Sequence, residues 1–157
     1  MPITKTHIHP FAYMNLIGDS LHNFIDGLII AASFITNIQL GIATTLAVAL
    51  HEIPQEIGDF AVLIYGGFSR SKALFYNFLS ASVAVIGAAV GFYFANHLVG
   101  FSGILLPIAA GGFIYIAACD LIPELHKQPD LKTATSAMGF FLAGIMLMVG
   151  FKFLSAH

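Results

Sequence analysis

Apolar positions in this chain run in long unbroken stretches rather than in alternation. Five of them, residues 11–35, 41–66, 73–95, 102–121 and 134–154, are long enough to cross a bilayer core as helices, for which about 20 residues suffice. None alternates polar and apolar residues at every second position, as the strands of a transmembrane barrel do. The pattern predicts an all-α membrane protein of five transmembrane helices, forming one membrane domain over residues 1–157. The connections are short, and only residues 122–133 make a longer one, with Pro123, Glu124, His126, Lys127, Pro129 and Asp130. Residues 1–10 lack the basic start and apolar core of a signal peptide, so the chain is expected to enter its first helix directly.

Composition agrees with a bilayer environment. Of the 157 residues 58% are apolar and only 9% charged, against about a quarter charged in a soluble domain. A net charge of −2 and the lack of any Lys/Arg cluster leave no footprint for a nucleic-acid partner. Cys119 is the single cysteine, which excludes an internal disulfide or a multi-thiolate metal site. It is read as a packing residue. Lys5, Arg70, Lys72, Lys127 and Lys132 fall on one side of the predicted spans and Lys152 on the other. By the positive-inside rule the N-terminus is expected in the cytoplasm and the C-terminus outside, in a multi-pass protein of the cell (inner) membrane. Helix three carries the pair Gly87 and Gly91, a spacing that permits close helix approach.

Two helices break the apolar pattern. In the first, Asp19, His22, Asn23 and Asp26 follow the spacing i, i+3, i+4, i+7 and share one face about 100° wide. In the second, His51, Glu52, Gln55, Glu56 and Asp59 fall within an arc of about 140° by the same periodicity. An acidic residue at the centre of a membrane helix costs about 2.5–3.5 kcal/mol, whereas a strong apolar residue returns only about 0.3–0.6. Glu52, Glu56 and Asp59 on one helix therefore require that its stripe face protein, water or a cation.

Imidazole nitrogen combined with carboxylate oxygen suits zinc and other borderline divalent ions, and the lack of thiolate argues against copper(I). His22 and Asp26 can converge on one ion, as can His51 and Gln55, while Glu52 and Asn23 point to a neighbouring position. The spacing accommodates two adjacent sites sharing Asp26. The amides of Asn23 and Gln55 are weak ligands, which suits an ion that must leave as well as enter. Pro54 removes an N–H from the carbonyl of Leu50 and is expected to bend the helix and open its backbone beside the metal. The run His51-Glu52-Ile53-Pro54-Gln55 begins like the HExxH motif of zinc proteases, but Gln55 replaces the second histidine and Pro54 interrupts the turn. Asp19 and Glu56 stand at the margins of the ligand set, Asp19 as a candidate for the exit path. His7 and His9 form a short metal-like feature on the N-terminal lead. His97, His126 and His157 are assigned no role.

These residues resemble the ZIP (Zrt/Irt-like) family of metal transporters. His22-Asn23-Phe24-Ile25-Asp26-Gly27 is similar to the family's HNxxDG on its fourth helix, and the nine residues from His51 to Asp59 look like its HExPHExGD signature on the fifth. Asp120-Leu121-Ile122-Pro123-Glu124-Leu125-His126 resembles the end of the seventh. The resemblance covers essentially the whole chain and implies a bundle equivalent to helices four to eight, lacking the first three. It implies transport of a divalent metal ion into the cytoplasm, zinc foremost, with iron, manganese and cadmium as alternatives. The metal would be substrate rather than cofactor. By that resemblance His22, Asp26, His51 and the Gln55 position form the main site, and Asn23, Asp26, Glu52 and Gln55 line the adjacent one. Gln55 stands where the signature has histidine. The missing helices leave open a homodimer or a separate partner chain as their source. The competing readings are an intramembrane zinc-dependent hydrolase, with Glu52 as base, and a metal-binding fragment unable to transport.

Overall fold

The structure, a computed structural model, describes residues 8–116 and 131–154. Every regular element among the described residues is a helix: α1 Pro10–Thr36, α2 Ile38–Tyr65, α3 Arg70–Ala81, α4 Val83–His97, α5 Phe101–Ile116 and α6 Leu131–Leu154. His7, Cys119, His126, His157 and most of the connection after the fourth apolar stretch lie outside the described residues.

Each boundary has a local cause. Pro10 opens α1, where its fixed φ suits a helix and its missing N–H is not needed. A single residue, Asn37, separates α1 from α2, and its side chain accepts from the backbone N–H groups of Gln39 and Leu40 at 2.8 and 3.2 Å. That is an N-cap, which satisfies two donors the helix itself cannot. So short a turn folds α2 back along α1. The hairpin is closed at its far end by His9 N–H donating to Gly66 C=O at 2.9 Å. α2 stops at Gly66 and Gly67, the latter at φ 96°. Phe68 N–H returns to Leu63 C=O and Gly67 N–H to Ile64 C=O, the paired bonds of a Schellman cap. Phe68 then packs with Leu63, Ala12 and Ala73 in an apolar cluster that seals this end.

The third apolar stretch is two helices rather than one, with the interruption at Ser82. Ser82 and Ser80 hydroxyls lie 2.7 and 3.1 Å from the carbonyls of Phe78 and Asn77, and such back-bonding competes with the helical ladder. α2, by contrast, is continuous through Pro54. Taken together, Arg70–Ala95 is long and apolar enough to cross a membrane, alone among the helices within the described residues.

α1 sits at the centre and contacts α2, α3, α4 and α5. Against α4 it packs backbone to backbone. A Cβ on Gly27 would meet Ala84 O at 2.0 Å, and one on Gly87 would meet Phe24 O at 2.0 Å. The interior holds a set of polar residues, Asp19, Asn23, Asp26, Ser33, Asn77 and Ser80, beside small and aliphatic ones such as Ile29, Ala32 and Leu63. Large apolar side chains such as Met14, Leu21, Leu50 and Ile57 are at least 60% exposed. An exterior this apolar around buried polar groups departs from the pattern of a water-soluble domain and suits a hydrocarbon surround.

Candidate metal centre

The one-residue turn at Asn37 sets the height at which side chains of α1 and α2 meet. Asn15 and Asp59, 44 residues apart and placed symmetrically about it, are joined by a 2.8 Å hydrogen bond. Asp19 and Gln55, 36 apart and equally symmetric, meet at 3.4 Å. His22 and His51, 29 apart, bring their Nε2 atoms to 3.2 Å. The two stripes thus face each other rung by rung. Between the outermost of these α1 residues, Asn15 and Asp26, the polar seam runs about 16 Å at 1.5 Å rise per residue.

At one end of the seam four side chains converge. His22 and Asp26 come from successive turns of α1, His51 and Glu52 from α2, and one ligand atom from each lies within 4.8 Å of all the others. His51 Nε2 is 3.1 Å from Asp26 Oδ2 and 3.4 Å from Glu52 Oε1. His22 Nε2 is 3.7 Å from Asp26 Oδ2 and 3.3 Å from Glu52 Oε1. A tetrahedral zinc with bonds of about 2.0–2.2 Å has ligand–ligand edges of about 3.3–3.6 Å, and these separations bracket that range.

Electrostatics point the same way. Asp26 Oδ2 and Glu52 Oε1 are buried and accept no hydrogen bond from the described residues, and the imidazoles of His22 and His51 lie 3.1–3.7 Å from them. The two Nε2 atoms face each other across 3.2 Å, a separation that needs a proton or a cation between their lone pairs. His51 Nδ1 lies 3.0 Å from Ala47 C=O. Donation there places the proton on Nδ1 and leaves the Nε2 lone pair directed into the cluster, the usual second bond behind a ligating histidine. His22 and Asp26 also line a cavity of about 360 Å³ between α1 and α5, walled by Ile25, Ile29, Ile108 and Tyr115.

The remaining candidates lie further along the seam. Asn23 Nδ2 donates to Asp19 Oδ1 at 3.0 Å, and Gln55 Nε2 reaches the same oxygen. The Gln55 amide nitrogen is thus directed to Asp19. Glu56 sits on the same length of α2, with Oε1 buried and without a hydrogen-bond partner among the described residues, and Asn77 of α3 donates to its backbone carbonyl at 3.0 Å. Three contributors escaped the sequence reading. Asn15 continues the α1 stripe one turn beyond Asp19, so the same periodicity reaches it. Asn77 and Ser80 sit on a helix that also carries Arg70, Ser71 and Lys72, and nothing in the sequence says that they face Glu56 and Asp19.

A family model described as ZIP Zinc transporter matches residues 3–152. The zinc transporter zipt-7.2 of Caenorhabditis elegans is 42% identical over 141 residues, covering 87% of this chain and 30% of that protein. The metal cation symporter ZIP14 of Mus musculus is 38% identical over 152 residues, covering 96% and 31%. The zinc transporter ZIP6 of Homo sapiens is 39% identical over 141 residues, covering 89% and 19%. The chain thus spans between 19% and 31% of the length of these curated relatives. No solved structure matches it significantly.

Proposed function

The chain belongs to the ZIP zinc transporter family, and from that premise we propose that His22, Asp26, His51 and Glu52 hold a divalent metal ion in transit across the membrane. The observation that carries this reading is the set of four imidazole and carboxylate donor atoms, all within 4.8 Å of one another, in a polar seam. Imidazole and carboxylate donors favour zinc, with iron, manganese and cadmium as competitors. Asn23 and Gln55 line the next position along the seam, where amide oxygens hold the ion weakly enough to release it. With the N-terminus in the cytoplasm, the Asn37 turn lies outside. The seam then leads from the histidine centre through Gln55 and Glu56 to Asp59 on the cytoplasmic side, a path that suits inward movement of the ion. The cavity between α1 and α5 gives the ion its lateral access to His22 and Asp26. Lipid, together with helices of a second copy or a separate chain, covers the apolar outer faces of α1 and α2.

A hydrolase is the weaker alternative. A catalytic zinc keeps one position open for water beside three protein ligands, whereas four protein donors converge here. The test is zinc uptake into proteoliposomes together with equilibrium zinc binding, for wild type, His51→Ala and Asp26→Ala. Both substitutions are expected to abolish uptake and weaken binding. Equal behaviour of all three proteins would remove the assignment, and chelator-sensitive ester or amide hydrolysis would favour the alternative.

A further inference from the structure

The geometry points to Asp19 as a positioning residue: we propose that its carboxylate orients the Asn23 and Gln55 carboxamides so that both offer carbonyl oxygen to the metal ion. The inference rests on the reading above that these two amides line the ion's second position. Asp19 is 6% exposed. Its Oδ1 accepts from Asn23 Nδ2 on α1 at 3.0 Å and from Gln55 Nε2 on α2 at 3.4 Å. Its Oδ2 accepts from the Ser80 hydroxyl on α3. Ser80 has one proton and two acceptors in reach, since Asn77 C=O lies at 3.1 Å. A carboxylate oxygen is the stronger acceptor of the two.

The chemistry of the groups fixes the outcome. An ionised carboxylate only accepts, and an amide NH₂ only donates. Two carboxamides facing one carboxylate must therefore both turn their nitrogen towards it and their oxygen away. Asn23 Nδ2 also donates to the Asp19 backbone carbonyl at 3.2 Å, so the carboxylate reinforces an orientation that Asn23 already has, whereas it is Asp19 Oδ1 that turns the Gln55 nitrogen. A flipped amide would present N–H dipoles that repel a cation. Asp19 is poorly placed to be a ligand itself. Both its oxygens already accept hydrogen bonds from three helices, and it stands outside the four-atom group. It stands behind the ligands, in the place from which such partners typically govern metal affinity about 10–100-fold.

The experiment is zinc titration of the full chain in lipid nanodiscs, with Asp19→Asn and Ser80→Ala each made in wild type and in an Asn23→Ala/Gln55→Ala background. Asp19→Asn keeps the shape but can donate or accept, so it no longer dictates amide orientation. It is expected to weaken zinc binding about 10–100-fold in wild type and by less than about twofold where the amides are gone. Ser80→Ala should lose less, below about tenfold, and its effect should also vanish in the double variant. Unchanged affinity in Asp19→Asn overturns the proposal. So does an equal loss in both backgrounds, which marks a direct ligand or a scaffold role, and so does an Asn23→Ala/Gln55→Ala protein with wild-type affinity. Should Asp19→Asn fail to fold, the Ser80→Ala pair decides the same question. His51→Ala and Asp26→Ala serve as the separate check: if neither lowers affinity, the metal-centre reading itself fails, whereas damage there with an inert Asp19→Asn removes only the positioning role.

Discussion

α1 presents two faces that are joined to their neighbours by opposite means. Towards α4 its backbone is approached closely through glycines of both helices: Gly27 lies where any Cβ would collide with the Ala84 carbonyl, and Gly87 and Gly91 of α4 lie against Phe24 and Leu28. Towards α2 it carries Asn15, Asp19, His22 and Asp26, which meet α2 through polar side chains. The first face is close-packed backbone with no slack. The second is held by hydrogen bonds and leaves the acceptors Asp26 Oδ2 and Glu52 Oε1 without one. The difference separates two tasks on one helix: the glycine seam fixes where α1 is, and the polar seam is left able to take something in.

The largest break in that comparison should come from the glycine face. Gly27→Ala puts a methyl 2.0 Å from a backbone oxygen, which cannot rotate aside, so a loss of about 3 kcal/mol or more is expected. Unfolding in detergent would measure it, and a wild-type transition would refute the seam. His51→Ala should leave that unfolding transition nearly in place yet cut zinc affinity by more than the roughly 10–100-fold typical of a residue behind a ligand. Isothermal titration reads it directly.

A pH series sharpens the distinction. Imidazoles must lose their protons to bind metal, so zinc affinity is expected to fall steadily from about pH 7 to pH 5. A flat profile would argue against His22 and His51 as ligands. Asn37→Ala removes the N-cap of α2 and touches neither face. It should cost about 1 kcal/mol of stability and leave zinc affinity unchanged. The smallest effect belongs to Gly58→Ala, where a Cβ meets nothing within 4 Å. There the better helix former should gain up to about 1 kcal/mol, which would show that the glycines of this chain differ by what stands opposite them.

Much of the site was legible because it is written along single helices. Helical periodicity places His22 and Asp26 on one face, and membrane energetics forbid the α2 acids from facing lipid, whatever the rest of the fold does. Helical character followed from the same long apolar runs. The interruption at Ser82 was not legible, because a serine that bonds its own preceding carbonyl looks in sequence like any polar residue in an apolar span. Nor was the part played by Ser80, whose partner lies on α1, 61 residues away.

Sequence alone determined which residue types were available: two imidazoles, a set of carboxylates and two amides, in two stripes, with no basic residue among them to neutralise the acids. Only the tertiary structure decided which of them meet. A one-residue turn at Asn37 places His22 opposite His51 and Asp19 opposite Gln55, so Glu52 joins the histidines while Gln55 is drawn to Asp19. The reason is geometric. Periodicity fixes the direction of a side chain around its own helix, but the height and rotation of one helix against another depend on the turn between them and on the glycine seam behind.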